Sequence, residues 1–238
     1  MQKIAFCSWD AIAARKDGKK LTITDLVILC RSHLTHTELR FGKKRGGVSW
    51  SSTMVDHANG CRFKYINYSH PQRWSIVEIE IPDEVEETIW QECCRMADMP
   101  AKWRTIPWPV AMNFFIEYIE GKAMKTRNKN IAIYQGPRHI QYDLTGLLSF
   151  ALQQSGKWWL TKLRHIIWAW CALPVFKPDP TNVWCSEACA TAWNKGWLNS
   201  SFVLDTNLWI RPQELSPAQL DKQAKKIQQH MEATCTRI

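Results

Sequence analysis

No two of the nine cysteines stand at CxxC spacing, and the adjacent Cys93 and Cys94 fit a disulfide framework poorly. The thiols therefore read as mostly reduced, which points to synthesis in a cytosol. No segment is dominated by one or two residue types and no internal repeat is visible, so a disordered chain, a collagen-like fibre and a coiled-coil rod are excluded. Long uncharged apolar runs are missing too. The most apolar segment, Trp158 to Phe176, carries Lys162, Arg164 and His165 in its middle, and a membrane-spanning helix would have to bury them. At the N-terminus only Ile4 to Cys7 is apolar before Asp10 intervenes, which does not read as a signal peptide. The chain ends Cys235-Thr236-Arg237-Ile238, with Arg237 where a prenylation signal needs an aliphatic residue.

What is present is a sizeable core and an uneven charge. With 238 residues, 45% of them hydrophobic, the chain can build one large domain or two small ones. Its fourteen tryptophans supply broad aromatic surface for a core, a groove or a membrane interface. The net charge is +9. Residues 1–75 hold 13 basic and 5 acidic groups, residues 76–98 hold 8 acidic groups against Arg95 alone, and residues 99–140 turn basic again, 7 against 2. A basic surface can meet nucleic acid, anionic lipid, an acidic polymer or an acidic protein, but the acidic patch argues against a simple nucleic-acid sleeve. Lys43-Lys44-Arg45 is a basic loop with no nucleic-acid motif beside it.

Hydrophobic patterning places strands at Leu21 to Cys30, Thr35 to Phe41, Val48 to Thr53, Cys61 to Tyr68 and Trp74 to Ile81, the last alternating cleanly. Pro82 then opens a helix over Asp83 to Asp98, whose first turn is rich in carboxylates that complement the helix dipole. Further helices are expected at Val110 to Glu120, Leu144 to Gln154 and Trp158 to Cys171. A short helix begins at Cys185 or Ser186, and Ser216-Pro217 caps a polar C-terminal helix. Strands first and helices after them give an α+β class.

Cys185 stands out among the thiols because it follows a loop and opens a helix. The dipole and the unpaired N–H groups there favour a thiolate and can hold an oxyanion. It also has a plain reading as a small buried hydrophobe beside Trp184. The base such a nucleophile needs is found in the strand Thr35-His36-Thr37-Glu38-Leu39, where His36 and Glu38 share a face. A zinc site from Cys185, Cys189 and His165 has spacing unlike the usual knuckles.

The stretches His36-Thr37-Glu38-Leu39, Tyr142-Asp143-Leu144 and Trp184-Cys185-Ser186-Glu187, in that order, resemble the circularly permuted papain-like group of the NlpC/P60 superfamily, and more closely its bacterial YiiX/YebB-like branch and similar phage proteins. The resemblance covers roughly residues 21–194 and implies an antiparallel sheet packed against a cysteine-bearing helix. It would make Cys185 the nucleophile, His36 its partner, and Tyr142 with Trp184 part of the substrate cleft. The third polar residue of that group sits on the following strand, where Ser51 is the nearest match; Glu38 is the alternative. Residues 1–216 would then be one permuted papain-like domain with additions at about 99–140 and 156–181, and 217–238 a C-terminal helix.

The function so implied is a cysteine hydrolase or acyl transferase acting on an amide or ester carbonyl, without metal or cofactor. A cell-wall peptide comes first as substrate and lipid acyl groups second. The aromatic-rich additions could dock a protein or an anionic lipid surface. Cytoplasmic synthesis without a signal peptide fits a phage-encoded protein in a virion or an infected cell. The alternative is a non-enzymatic interaction or virion-associated module that keeps the fold, and nucleic-acid binding stands behind both.

Overall fold

The computed structural model describes residues 1–29, 32–54, 59–66, 68–100, 133–136, 138–143, 183–202, 205–212 and 215–235. The helices expected at Val110 to Glu120, Leu144 to Gln154 and Trp158 to Cys171 lie outside those residues. So do nearly all of the addition at 99–140, the whole of that at 156–181, and His165.

The described chain is α+β. Its elements are β1 (Gln2–Asp10), α1 (Ala11–Lys16), α2 (Ile23–Leu29), β2 (Leu34–Phe41), β3 (Ser49–Thr53), β4 (Gly60–Lys64), β5 (Trp74–Ile81), α3 (Asp83–Met96), the two-residue β6 (Ile133–Tyr134), α4 (Cys185–Leu198) and α5 (Pro217–Cys235). The strands form one antiparallel sheet in the order β5-β1-β2-β3-β4-β6. The strand β1 was not foreseen, because Ile4 to Cys7 reads as a mere apolar fragment. It is a central strand paired on both sides, so it buries both faces and loses the alternation that marks a half-buried strand.

The segment expected as a strand at Leu21 to Cys30 is instead the helix α2. Its start is a reciprocal cap: the Asp25 N–H donates to Thr22 Oγ1 at 3.1 Å, and the Thr22 N–H donates to Asp25 Oδ2 at 2.8 Å. The Thr-x-x-Asp spacing that builds this box outweighs the apolar run behind it.

Direct cross-strand pairs define two faces. Ile4, Phe6, Leu39, Phe41, Trp50, Phe63, Val77 and Ile79 share one, and it carries the core against α3, α4 and α5. The helix α5 contributes Leu220, Ala224 and Ile227 to that same core. His36, Glu38, Arg40, Ser51, Arg62 and Lys64 share the opposite, polar face. Of the three cations in the basic loop only Arg45 is buried: it bonds Glu86 through Nε at 3.0 Å and lies 4.6 Å over the Trp90 ring, while the exposed Lys44 lies 3.3 Å from Glu86. The acidic first turn of α3 therefore answers Lys44 and Arg45 within the chain.

The helices α3 and α4 meet at Gly196, where a Cβ would fall 2.1 Å from Ile89 Cγ1 and 3.0 Å from the Ile89 backbone. Thr88 Oγ1 also donates to the Gly196 carbonyl at 2.6 Å. Alanine is a better helix former by about 1 kcal/mol, yet Gly196→Ala is expected to lower stability by about 1–3 kcal/mol through overpacking. Urea melts would read this, and the loss should shrink in an Ile89→Ala background. A stabilised Gly196→Ala protein would show that the two helices do not approach so closely.

Candidate active site

The strands β2 and β3 pair through Leu39 with Trp50 and Arg40 with Ser49, and the β1–β2 register shifts between Trp9–His36 and Asp10–Leu34. Thr35 is thus an extra residue in β2 beside His36, the kind of bulge that re-aims a neighbouring side chain. Beyond Leu39 the carbonyl of Thr37 accepts from side chains: Ser51 Oγ at 2.6 Å and Cys189 Sγ at 3.7 Å. A polar strand end is thereby satisfied, and α4 lies against it with Cys185 as its first residue.

Two side chains of β2, His36 and Glu38, and one from the distant α4, Cys185, meet there. His36 Nε2 lies 2.7 Å from Glu38 Oε1, and Cys185 stands near enough to act on the ring's titration. Burial alone would lower the His36 pKa. The negative charge of a Cys185 thiolate and of Glu38, with the Glu38 hydrogen bond, raises it instead from 6.5 to about 9. The ring keeps 21% of its surface exposed, while Cys185 keeps 1%.

Glu38 is fully buried, and burial pushes its carboxyl up; Arg62 first, then Lys64 and His36, drive it well below its ordinary 4.5. Arg62, also fully buried, grips it with a fork: Nη1 to Oε2 at 3.0 Å and Nη2 to Oε1 at 2.8 Å. Lys64 Nζ stands 3.6 Å from Oε1. The site is a Cys185–His36–Glu38 constellation with two cations behind it.

Of the two orienters the sequence allowed, Glu38 bonds the ring. Ser51 does not; its hydroxyl donates to the Thr37 carbonyl, which the Cys189 thiol also reaches. Extending the β2–β3 register by one residue sets Ser51 across from Glu38, and Ser51 itself pairs with Arg62. A small residue there leaves room for the arginine to reach across β3.

Tyr142 and Trp184 are placed beside Cys185, in a buried cluster with Ile28. Burial, then the charge of Cys185, pushes the Tyr142 hydroxyl well above 10. Trp184 occupies the N-cap position of α4 without a side-chain bond to a backbone N–H; its Nε1 donates instead to Ser186 Oγ at 3.0 Å. Glu187 supplies half of a capping box by accepting the Trp184 N–H, and burial raises its carboxyl to about 7. The backbone of Asp143 donates to the Val183 carbonyl at 3.3 Å, tying the Tyr142-Asp143 segment to the approach of α4.

The other thiols near this core are held as thiols. Burial raises Cys7 and Cys61 to about 12 and Cys93 and Cys189 well above 9. Six described cysteines are free and buried. Among the described residues, no three His, Cys, Asp or Glu side chains are placed to hold a metal ion, and no helix is long and apolar enough to cross a membrane. Arg62 and Lys64 were missed by the sequence reading. Their one signal is a pair of cations alternating with Cys61 and Phe63, and it names no partner without the register. No known protein family, characterised protein or solved structure matches this chain.

The electrostatics set a pH dependence of stability. The pKa of His36 is raised on folding, so its proton stabilises the folded chain fully below about pH 6.5, and that contribution is lost as pH climbs through about 9. Glu38 acts the other way, its contribution present above its ordinary 4.5 and lost on acidification. Unfolding free energies from urea melts are expected to fall between pH 6.5 and 9, and His36→Gln should flatten that limb. An identical slope in the variant would show that His36 is uncharged in the folded protein.

Proposed function

We propose that the chain is a cysteine-dependent hydrolase or acyl transferase of the circularly permuted papain-like kind, acting on an amide or ester carbonyl. The observation that supports this is the imidazole of His36, bonded to a carboxylate held ionised and close enough to the thiol that opens a helix for that thiol to act on its titration. An isolated buried cysteine has no use for such a partner. With Nε2 committed to Glu38, Nδ1 is the nitrogen left to serve the thiol.

In this reading Cys185 attacks the carbonyl carbon as thiolate, and the carbonyl π pair moves to oxygen. The N–H of Cys185, at the uncapped start of α4, helps hold that oxyanion. Collapse restores the carbonyl and expels the amine or alcohol, which takes its proton from the His36 imidazolium. Water, or an acceptor nucleophile, then gives a proton to the neutral imidazole and attacks the thioester, and the thiolate leaves. Glu38 holds the ring in one orientation throughout. Tyr142 and Trp184 shape the apolar wall of the cleft. No metal or cofactor enters these steps.

The resemblance to the NlpC/P60 superfamily puts peptide bonds of a cell-wall polymer first among substrates, with lipid acyl groups second, and suggests a phage-encoded protein of the virion or infected cell. One observation favours the second reading, a non-enzymatic module on the same fold: Cys185 is only 1% exposed.

Thiol chemistry separates the two. Iodoacetamide near pH 6.5 is expected to alkylate Cys185 before Cys7, Cys61, Cys93 and Cys189, with the sites read by peptide mass spectrometry. Replacing His36 by alanine should slow that labelling, and should cut turnover of a peptide or ester substrate by about 10²- to 10⁴-fold. Cys185→Ala should abolish turnover in a protein that still melts cooperatively. Labelling of Cys185 no faster than Cys189 across pH 6 to 8 would end the enzyme reading in favour of the module.

A further inference from the structure

Arg62 is a fully buried cation whose hydrogen bonds are spent on one side chain. Both terminal nitrogens go to Glu38, and Nε is buried with no partner among the described residues. Ion pairs of this kind are commonly replaceable by apolar side chains without loss of stability. The arrangement calls for a reason other than stability, and Glu38 Oε1 supplies it by also bonding the His36 ring.

We propose that Arg62 is a positioning residue for His36: acting through Glu38 alone, its guanidinium holds that carboxylate ionised and fixed, and so keeps the imidazole charged and aimed at Cys185. This rests on reading Cys185 and His36 as the reacting pair. The charged and titratable groups around the two side chains are Arg62 and Lys64 from β4, Cys185 and Cys189 from α4, and Cys7 from β1, with Tyr68 beyond it. Of these only Arg62 meets both carboxylate oxygens. Lys64 approaches one of them at 3.6 Å as a single point charge. Without Arg62, burial would drive Glu38 to take up a proton, and a neutral acid no longer stabilises the imidazolium beside it. A lysine at 62 would return the charge but not the fork.

The test uses the full chain as wild type, Arg62→Met, Glu38→Gln, the double variant and Arg62→Lys. Each is followed by NMR titration of the ¹⁵N-labelled histidine ring and by the pH dependence of Cys185 alkylation with iodoacetamide. The wild-type ring is expected to titrate near 9. Arg62→Met and Glu38→Gln should each move it down toward the ordinary 6.5, and the double variant should fall no further than Glu38→Gln, because Arg62 supports the charged ring only through that carboxylate and without it is a like charge nearby. Arg62→Lys should fall between. Slower alkylation of Cys185 near pH 7 should accompany each downward shift.

A stability loss in Arg62→Met with the His36 titration unmoved would overturn the proposal, leaving Arg62 a structural ion. A double variant shifted well beyond Glu38→Gln would overturn it as well. If Arg62→Met fails to fold, Arg62→Lys decides, since an unchanged titration there would show that the fork does nothing for the ring. The parent reading fails by a different signal, wild-type Cys185 labelling no faster than Cys189, and the ring titration does not depend on that outcome.

Discussion

A carboxylate taken out of water and left unpaired costs several kcal/mol even after the protein relaxes around it. Glu38 is taken out of water completely, and its neighbourhood is organised around that fact. Arg62 reaches it with two bonds, Lys64 adds charge, and His36 takes what remains of Oε1. Each requirement propagates. Arg62 starts from β4, two strands from β2, so β3 between them must carry something small, and Ser51 does. The polar face of the sheet is then a layer of charges that compensate one another, while the other face is closed by apolar side chains and helices.

Bringing a helix start to that layer requires the sheet to stop pairing locally. The Thr37 carbonyl shows how the cost is met: a hydroxyl from β3 and a thiol from α4 take up an acceptor. Cys189 thus fixes α4 one turn beyond Cys185, and Asn194 fixes its far half by bonding the N–H and the carbonyl of Ile210. Gly196 sets its depth against α3. Cys185 is therefore positioned by contacts along the whole helix, and a loose loop would not hold a thiol against an imidazole in this way.

The legible parts of the sequence were those with a local cause. The alternation of β5 puts Val77, Ile79 and Ile81 inward and Glu78 and Glu80 outward, and Pro82 with its following acids opens α3. The helix beginning at Cys185 and the shared face of His36 and Glu38 follow equally from local spacing. Two local features were misjudged. A strand buried on both faces, β1, carries no period-two signal, and α2 hid a Thr22–Asp25 box behind an apolar run. Arg62 was invisible for another reason. Its meaning depends on which strand lies between it and Glu38, and register across three strands is a tertiary fact that no spacing along the chain records. The same holds for Ser51: its position across from Glu38 could be guessed, but the direction of its hydroxyl could not.

The buried charges also bear on whether the constellation works or survives as a relic. A module that kept its fold without chemistry would gain from relaxing them, because exchanging Glu38, Arg62 and His36 for apolar residues of similar volume removes three desolvation costs at once. Mutation would have an open path toward an apolar layer continuous with Cys7 and Ala5 on the same face. Yet the layer holds a carboxylate held ionised, a cation whose bonds serve that carboxylate, and an imidazole whose proton is retained to about pH 9 against its own burial. Each of these charges is answered by the next, and the series ends at His36, beside the first residue of α4.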